Sequence, residues 1–264
     1  MSWLGIPEKP KEPVPKPAIP SKEKIFKPLG EIAARRKLKI GVWGDKETGK
    51  SHVCCSCPPP VYIIDTEMGI APLRHKFRDK EIYVLETFVE DPVTFKADPI
   101  KSLEMAEEAI NSLRDVSEGT IAIDSGTDLW QWISDYMKQE WENRYKGTAR
   151  EFQQWDWAIA NNKYKELMMK LLSRDAVFVI TAQPQEVYDV HGRRTGFFQP
   201  QWQKKTPFWV DVIVHMKKVI GEQALPKPVR YVGIIEKCRA ERQFNLQIED
   251  LDYDKLYEAI KKYL

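Results

Sequence analysis

No apolar run in the sequence approaches the roughly 20 residues a helix needs to cross a bilayer, and the N-terminus is charged and proline-rich instead of built like a secretion signal. A cytoplasmic protein with no membrane partner is expected. An excess of one charge is missing too: 41 basic residues face 39 acidic ones, and a formal net charge of +2 excludes a global polyelectrolyte attraction to nucleic acid. Any such binding must come from local patches. Cysteine is scarce. Cys54, Cys55 and Cys57 crowd together and Cys238 lies far away in the chain. No second Cys-x-x-Cys pair closes a tetrahedral metal site, and neighbouring cysteines on a short helix point in different directions, so structural thiols are the simpler reading. There is no internal repeat.

What is present suffices for one sizeable core: 264 residues, 42% of them hydrophobic, fit one α/β domain plus a tail. The tail is residues 1–30, where Pro7, Pro10, Pro13, Pro15, Pro17, Pro20 and Pro28 stand among lysines and favour an extended polyproline-type arm. A solvated linker is the plain reading of that composition. Its apolar islands, Trp3-Leu4 and Ile25-Phe26, are where it would dock onto a neighbour. Residues 31–264 form the domain. Short apolar runs at Leu38 to Trp43, Val61 to Ile64, Ile82 to Leu85, Thr120 to Ile123 and Ala176 to Thr181 predict strands buried on both faces of a parallel sheet. Helical spacing is expected across Pro99 to Val116, Leu129 to Tyr145 and Trp155 to Leu172. Further on, Glu186 to Val190 and Thr195 to Phe198 flank His191-Gly192 as a projecting hairpin. Strands at Val210 to Val219, Val229 to Glu236 and near Phe244 to Ile248 follow, and a helix from Tyr253 to Tyr263 ends the chain. The expected fold is α/β: a mostly parallel central sheet flanked by helices, with C-terminal antiparallel strands and the hairpin.

One run carries phosphate chemistry. Gly44-Asp45-Lys46-Glu47-Thr48-Gly49-Lys50-Ser51 has the pattern G-x-x-x-x-G-K-[S/T], in which glycines let backbone N–H groups curl inward onto phosphate oxygens. With His52 it makes up the expected nucleotide cradle. Lys50 would reach the β- and γ-phosphates of ATP, and Ser51 would give its hydroxyl to Mg2+. The strand Leu38 to Trp43 stands before the loop, as the mechanism demands. Such a site also needs an acid at a buried strand end for the magnesium shell and a group that activates water. Two strands end in aspartate, in Asp65-Thr66-Glu67 and in Asp124-Ser125. An aspartate closing a strand is often only a turn former, but the pair gains meaning beside the loop.

Together these residues resemble the RecA-like ATPases, the class of homologous-recombination proteins and ring helicases. The resemblance implies Glu67 as the catalytic glutamate, Asp124 as the magnesium-associated aspartate, and Gln183, at the end of Ile180-Thr181-Ala182-Gln183, as a γ-phosphate sensor that moves a DNA-binding loop. Lys237 and Arg239, after the strand Val229 to Ile235, resemble the cationic fingers that reach a neighbouring subunit's site in rings and filaments. A solvated basic turn is the other reading of that pair. The stretch from Gln153-Gln154-Trp155 to Gln183 is most similar to compact phage and archaeal members that accompany single-strand annealing. No helix-hairpin-helix domain and no appended C-terminal domain are found, which sets full strand exchange apart. The implied partners are single-stranded DNA, further copies of the chain in a ring or filament, and recombination proteins held by the N-terminal arm.

Two segments have the composition of a single-strand groove, cations for phosphates interleaved with aromatics for bases. One holds Lys138, Arg144, Lys146 and Arg150 with Trp141, Tyr145 and Phe152. The other holds Arg193, Arg194, Lys204 and Lys205 with Phe197, Phe198 and Trp202. Protein interfaces share this composition. Three functions therefore stand at this point: a DNA-binding recombination ATPase acting as an oligomer, an ATPase switch or assembly factor for a protein partner, and a small-molecule kinase with Arg193-Arg194 as its lid. Glu67 fits water activation better than transfer to a metabolite.

Overall fold

Lys39 to Gly44 is buried along its whole length, and alternate residues feed two different cores: Ile40 and Val42 join one, Trp43 the other. That is how a strand reads when helices cover both faces of its sheet. The computed structural model describes residues 37–221, 229–241 and 245–263. The expectations for the arm at 1–30 and for Phe244 lie outside the described residues. In chain order the elements are β1 (Lys39–Gly44), α1 (Lys50–Ser56), β2 (Val61–Asp65), β3 (Ile82–Glu86), α2 (Pro99–Ser112), β4 (Thr120–Asp124) and α3 (Gly126–Tyr145). There follow α4 (Ala158–Leu172), β5 (Val177–Ala182), β6 (Pro184–Tyr188), β7 (Arg194–Pro200), the single turn α5 (Thr206–Trp209), β8 (Val212–Ile220), β9 (Val229–Cys238), β10 (Leu246–Glu249) and α6 (Tyr253–Ile260).

Eight strands form one sheet in the order β10-β9-β8-β1-β5-β4-β2-β3, and β6 pairs with β7 as a separate hairpin. The six strands from β8 to β3 run parallel, while β9 runs antiparallel to both of its neighbours, β8 and β10. Helices α2, α3 and α4 cover one face with Leu103, Ile110, Ile133 and Leu167, and α1 and α6 cover the other with Val53, Leu256 and Ile260. Cys54, Cys55 and Cys57 lie wholly inside this second layer, where burial pushes the thiols up, that of Cys55 to about 12. They are packing residues without nucleophilic character. No His, Cys, Asp or Glu cluster fit to hold a metal ion occurs among the described residues. Nor is any described helix long and apolar enough to cross a membrane.

The strand expected at Ile82 to Leu85 forms, but it is the sheet edge and not a strand buried on both faces. Tyr83, Val84 and Leu85 are 51%, 43% and 41% exposed. Periodicity cannot tell an apolar edge from an apolar centre. Helix ends shift as well: the helix begun at Pro99, capped by Asp98 accepting from the Lys101 N–H (3.1 Å), stops at Ser112 and finishes as a 3-10 turn. The helix expected from Trp155 starts at Ala158 after a 3-10 turn at Gln154–Trp157, and the last helix ends at Ile260.

The register aligns the strand ends that matter. Trp43 pairs with Ala182, and Asp65 with Asp124. Because β5 lies between β1 and β4, the C-terminal ends of all four strands bring Gly44, Gln183, Asp124 and Glu67 to one edge of the sheet.

Candidate active site

The loop after β1 is shaped by two glycines in conformations that other residues avoid, Gly44 at φ 154° and Gly49 at φ 96°. A Cβ on Gly44 would lie 2.3 Å from the Met216 carbonyl oxygen, so no side chain fits there. Thr48 Oγ1 donates to the Asp45 carbonyl (2.8 Å) and closes the loop on itself. Lys50 Nζ lies inside the turn and donates to the Gly44 and Asp45 carbonyls, both at 2.9 Å. Phosphate oxygens are stronger acceptors for that ammonium than neutral carbonyls. Glu47, which the sequence places in the cradle, points outward to an ion pair with Lys218 Nζ at 2.9 Å; each partner strengthens the other's charge, lowering the carboxyl and raising the ammonium pKa. Lys218 sits two residues past Met216, the partner of Gly44 on β8, and only this register brings it to the loop.

Asp124 ends β4 almost fully buried and accepts from the hydroxyls of Ser51 and Thr181. Burial pushes its carboxyl up, the charges of Glu67 and Asp65 add to that, and the two hydroxyls oppose it. An anionic oxygen next to a serine hydroxyl is a donor set that suits a magnesium ion. Ser51 and Asp124 therefore fit the metal of an Mg–ATP site.

Asp65 has a different role. It is fully buried, and its carboxylate accepts from the backbone N–H groups of Glu67 (3.2 Å), Gly69 (3.1 Å) and Ile70 (3.0 Å). These bonds bend residues 66–70 into the turn that sets Glu67 at the sheet edge. The exposed Glu67 carboxylate accepts from Gln183 Nε2 at 2.9 Å. The sequence did not single out Asp128, whose carboxylate accepts from the hydroxyls of Thr66 and Ser125, both at 2.9 Å, and locks the ends of β2 and β4 together. Burial pushes it up against those hydrogen bonds. In the sequence it reads as an ordinary acid in a helix's first turn.

A family model described as an AAA domain matches residues 36–239, from just before β1 to the residue after β9. The chain belongs to that family. No curated protein matches it. The site is accordingly that of an AAA-type P-loop ATPase domain, built for binding and hydrolysing ATP.

Other expected residues of the AAA domain lie elsewhere than the sequence suggested. The His52 ring takes no part in the loop: it is half-buried against Phe77 (centroids 5.0 Å), its Nε2 is buried without a partner among the described residues, and burial lowers its pKa. Lys237 and Arg239 are not free fingers. Lys237, on β9 opposite Ile213 of β8, and Arg239, just past the strand's end, lie at the level of the start of β1, the far end of the strands from the P-loop. Lys237 Nζ donates to the Pro207 carbonyl and to that of Val210 (2.7 Å); Arg239 donates to the Phe208 carbonyl (2.6 Å) and pairs with Asp211 (3.3 Å). The physical reason is α5, a single turn whose last carbonyls have no helical partners and take these cations instead.

Of the two basic-aromatic segments, the structure uses part internally. Trp202 is buried over Gly41, where a Cβ would lie 2.7 Å from its ring, so it is core and does not stack on a base. Glycine inside an apolar strand was the available signal of such close approach. Arg150 stacks over Tyr145 (3.9 Å to the centroid) and pairs with the buried Asp156 at 2.5 Å. Trp141, Tyr145 and Phe152 pack on one another. Arg144, Lys146, Lys204 and Lys205 are exposed, as are Phe197 and Phe198 on the hairpin at 73% and 57%. Arg193 and Arg194 are exposed but held within the hairpin by Asp189 (2.9 Å) and Glu186 (3.3 Å).

Proposed function

We propose that this AAA domain is a DNA-stimulated ATPase of the RecA-like kind that binds single-stranded DNA in recombination, repair or replication and works as an oligomer. One observation carries the reading. The Gln183 side chain holds Glu67, while its backbone holds the hairpin: its N–H donates to Thr127 Oγ1 (3.0 Å), its carbonyl accepts from Gln201 (2.8 Å), and Thr127 Oγ1 donates to the Gln201 carbonyl (2.8 Å). A strand bound by Phe198, Arg193, Arg194, Lys204 and Lys205 would thus pull on the residue that restrains the water-activating carboxylate.

The chemistry follows from the residues in place. With nucleotide bound, Lys50 would exchange its two loop carbonyls for β- and γ-phosphate oxygens, and Ser51 and Asp124 would hold the metal. Bound Mg2+ neutralises charge on the phosphate oxygens. Glu67 takes the proton of the water that attacks the γ-phosphorus, and the bond to the ADP oxygen breaks with its electrons leaving on ADP. Gln183 sets whether the Glu67 carboxylate is engaged or free.

Self-association is supported by β3, which among the described residues has no strand on its outer side and carries exposed Tyr83, Val84 and Leu85, the kind of strand that pairs with another chain. ATP hydrolysis measured with and without single-stranded DNA tests the reading: stimulation is expected. Hydrolysis indifferent to DNA, with no oligonucleotide bound at low salt in the presence of nucleotide, would favour a switch for a protein partner.

A further inference from the structure

A cleft of about 680 Å³ opens between the hairpin and the first turns of α4, with no P-loop residue in its lining. That volume lies within the range of roughly 300–1,000 Å³ typical of ligand sites. Its walls are of two chemical kinds. Trp130 and Trp157, both half-buried, stand with their ring planes 28° apart and centroids 6.2 Å apart, and form an aromatic side. Side-chain amides form the rest. Gln203 is buried and fixed, donating to Asn161 Oδ1 (2.8 Å) and accepting from the Lys205 N–H (2.5 Å). The Asn161 amide N–H groups have no acceptor among the described residues. Gln185 and Gln199 face each other across the hairpin register, and exposed Lys204 stands at the rim.

This combination selects its occupant. An apolar peptide side chain would leave the amides without partners, at a cost for each. A nucleobase has a flat π-face for an indole and donors and acceptors along its edge, and its phosphate suits a lysine. We propose that the cleft takes one base of a bound single strand, stacked on Trp157, hydrogen-bonded at its edge by Asn161 and Gln199, with Lys204 on the adjoining phosphate. The proposal rests on the single-strand reading above and adds that a base, and not the backbone alone, is gripped. Each amide offers both a donor and an acceptor, so different bases can be accommodated. Gln201, between the lining residues Pro200 and Trp202, donates its N–H to the Gln183 carbonyl (2.8 Å), which ties the cleft wall to the residue that restrains Glu67.

The test compares a labelled thymidine oligonucleotide with a sugar–phosphate oligomer of equal length lacking bases, each titrated against the full-length protein across a range of salt. The thymidine strand should bind more tightly. Trp157→Ala should weaken it by about 5- to 150-fold with the salt slope unchanged, since stacking releases few counterions. Trp157→Phe, which keeps a ring, should restore most of the binding and so separates lost stacking from lost folding; Gln199→Ala, on an exposed strand, should weaken the base-bearing strand alone. Equal affinity for the two oligomers, or wild-type affinity of Trp157→Ala, would overturn the base site while leaving single-strand binding intact. Absence of binding by either oligomer at low salt would overturn both.

Discussion

Among single residues, Lys50 and Glu67 touch different partners and should fail differently. Lys50→Ala should abolish nucleotide binding, whereas Glu67→Gln should keep it and lose turnover, as read by equilibrium binding of a fluorescent ATP analogue beside steady-state hydrolysis. Wild-type turnover in Glu67→Gln would remove Glu67 as the water-activating group. Trp202→Ala should unfold the protein before it affects DNA, because a core tryptophan truncated to alanine costs about 3–5 kcal/mol; denaturant melting checks this. His52 makes stability depend on pH. Its folded pKa lies below the ordinary value of 6.5 because burial disfavours the imidazolium. The unfolded chain therefore takes up the proton first, so its contribution to stability is complete above pH 6.5 and declines as pH falls below it toward the folded pKa. His52→Phe should keep the packing on Phe77 and flatten that part of the stability profile. Lys50 and Glu67 were legible because their roles follow from a local pattern. Asp128 was not, since nothing in its neighbourhood says that Thr66, far along the chain, gives it a hydrogen bond.

At the level of elements, the hairpin β6–β7 is where composition and structure agree best. Its aromatics Phe197 and Phe198 are exposed, and its arginines pair with acids of the same hairpin. Such exposed pairs contribute little to stability and yield readily to a phosphate. Arg193→Ala and Arg194→Ala should lower both the affinity for single strands and the steepness of its salt dependence, while Phe198→Ala should lower affinity with the slope nearly unchanged. Salt titrations of a fluorescent oligonucleotide separate these outcomes, and a slope indifferent to both arginines would exclude phosphate contacts there. The other segment is in part internal packing. Arg150, Trp141 and Phe152 have the composition of a groove, but they finish the packing at the junction of α3 and α4, and composition does not distinguish an aromatic that stacks on a base from one that stacks on its neighbour.

For the whole molecule, β3 ends the sheet formed by the described residues with exposed apolar side chains, and that edge is the basis for expecting assembly. Val84→Lys should leave the fold in place, since the side chain is already 43% exposed, and should shift sedimentation toward the monomer if β3 joins copies of the chain. An unchanged oligomer would place the contact elsewhere. Lys237 and Arg239 no longer support a composite site, because the ends of α5 hold both. The sequence by itself determined the α/β class, the phosphate loop and the two acidic strand ends. Each is a local pattern, either of backbone freedom at glycines or of a short continuous apolar run. Tertiary structure decided the rest. The insertion of β5 between β1 and β4 put Gln183 against Glu67, the β8 register brought Lys218 to Glu47, and packing over Gly41 took Trp202 into the core. Those outcomes depend on which strands become neighbours, a property of the folded chain that no window of sequence contains.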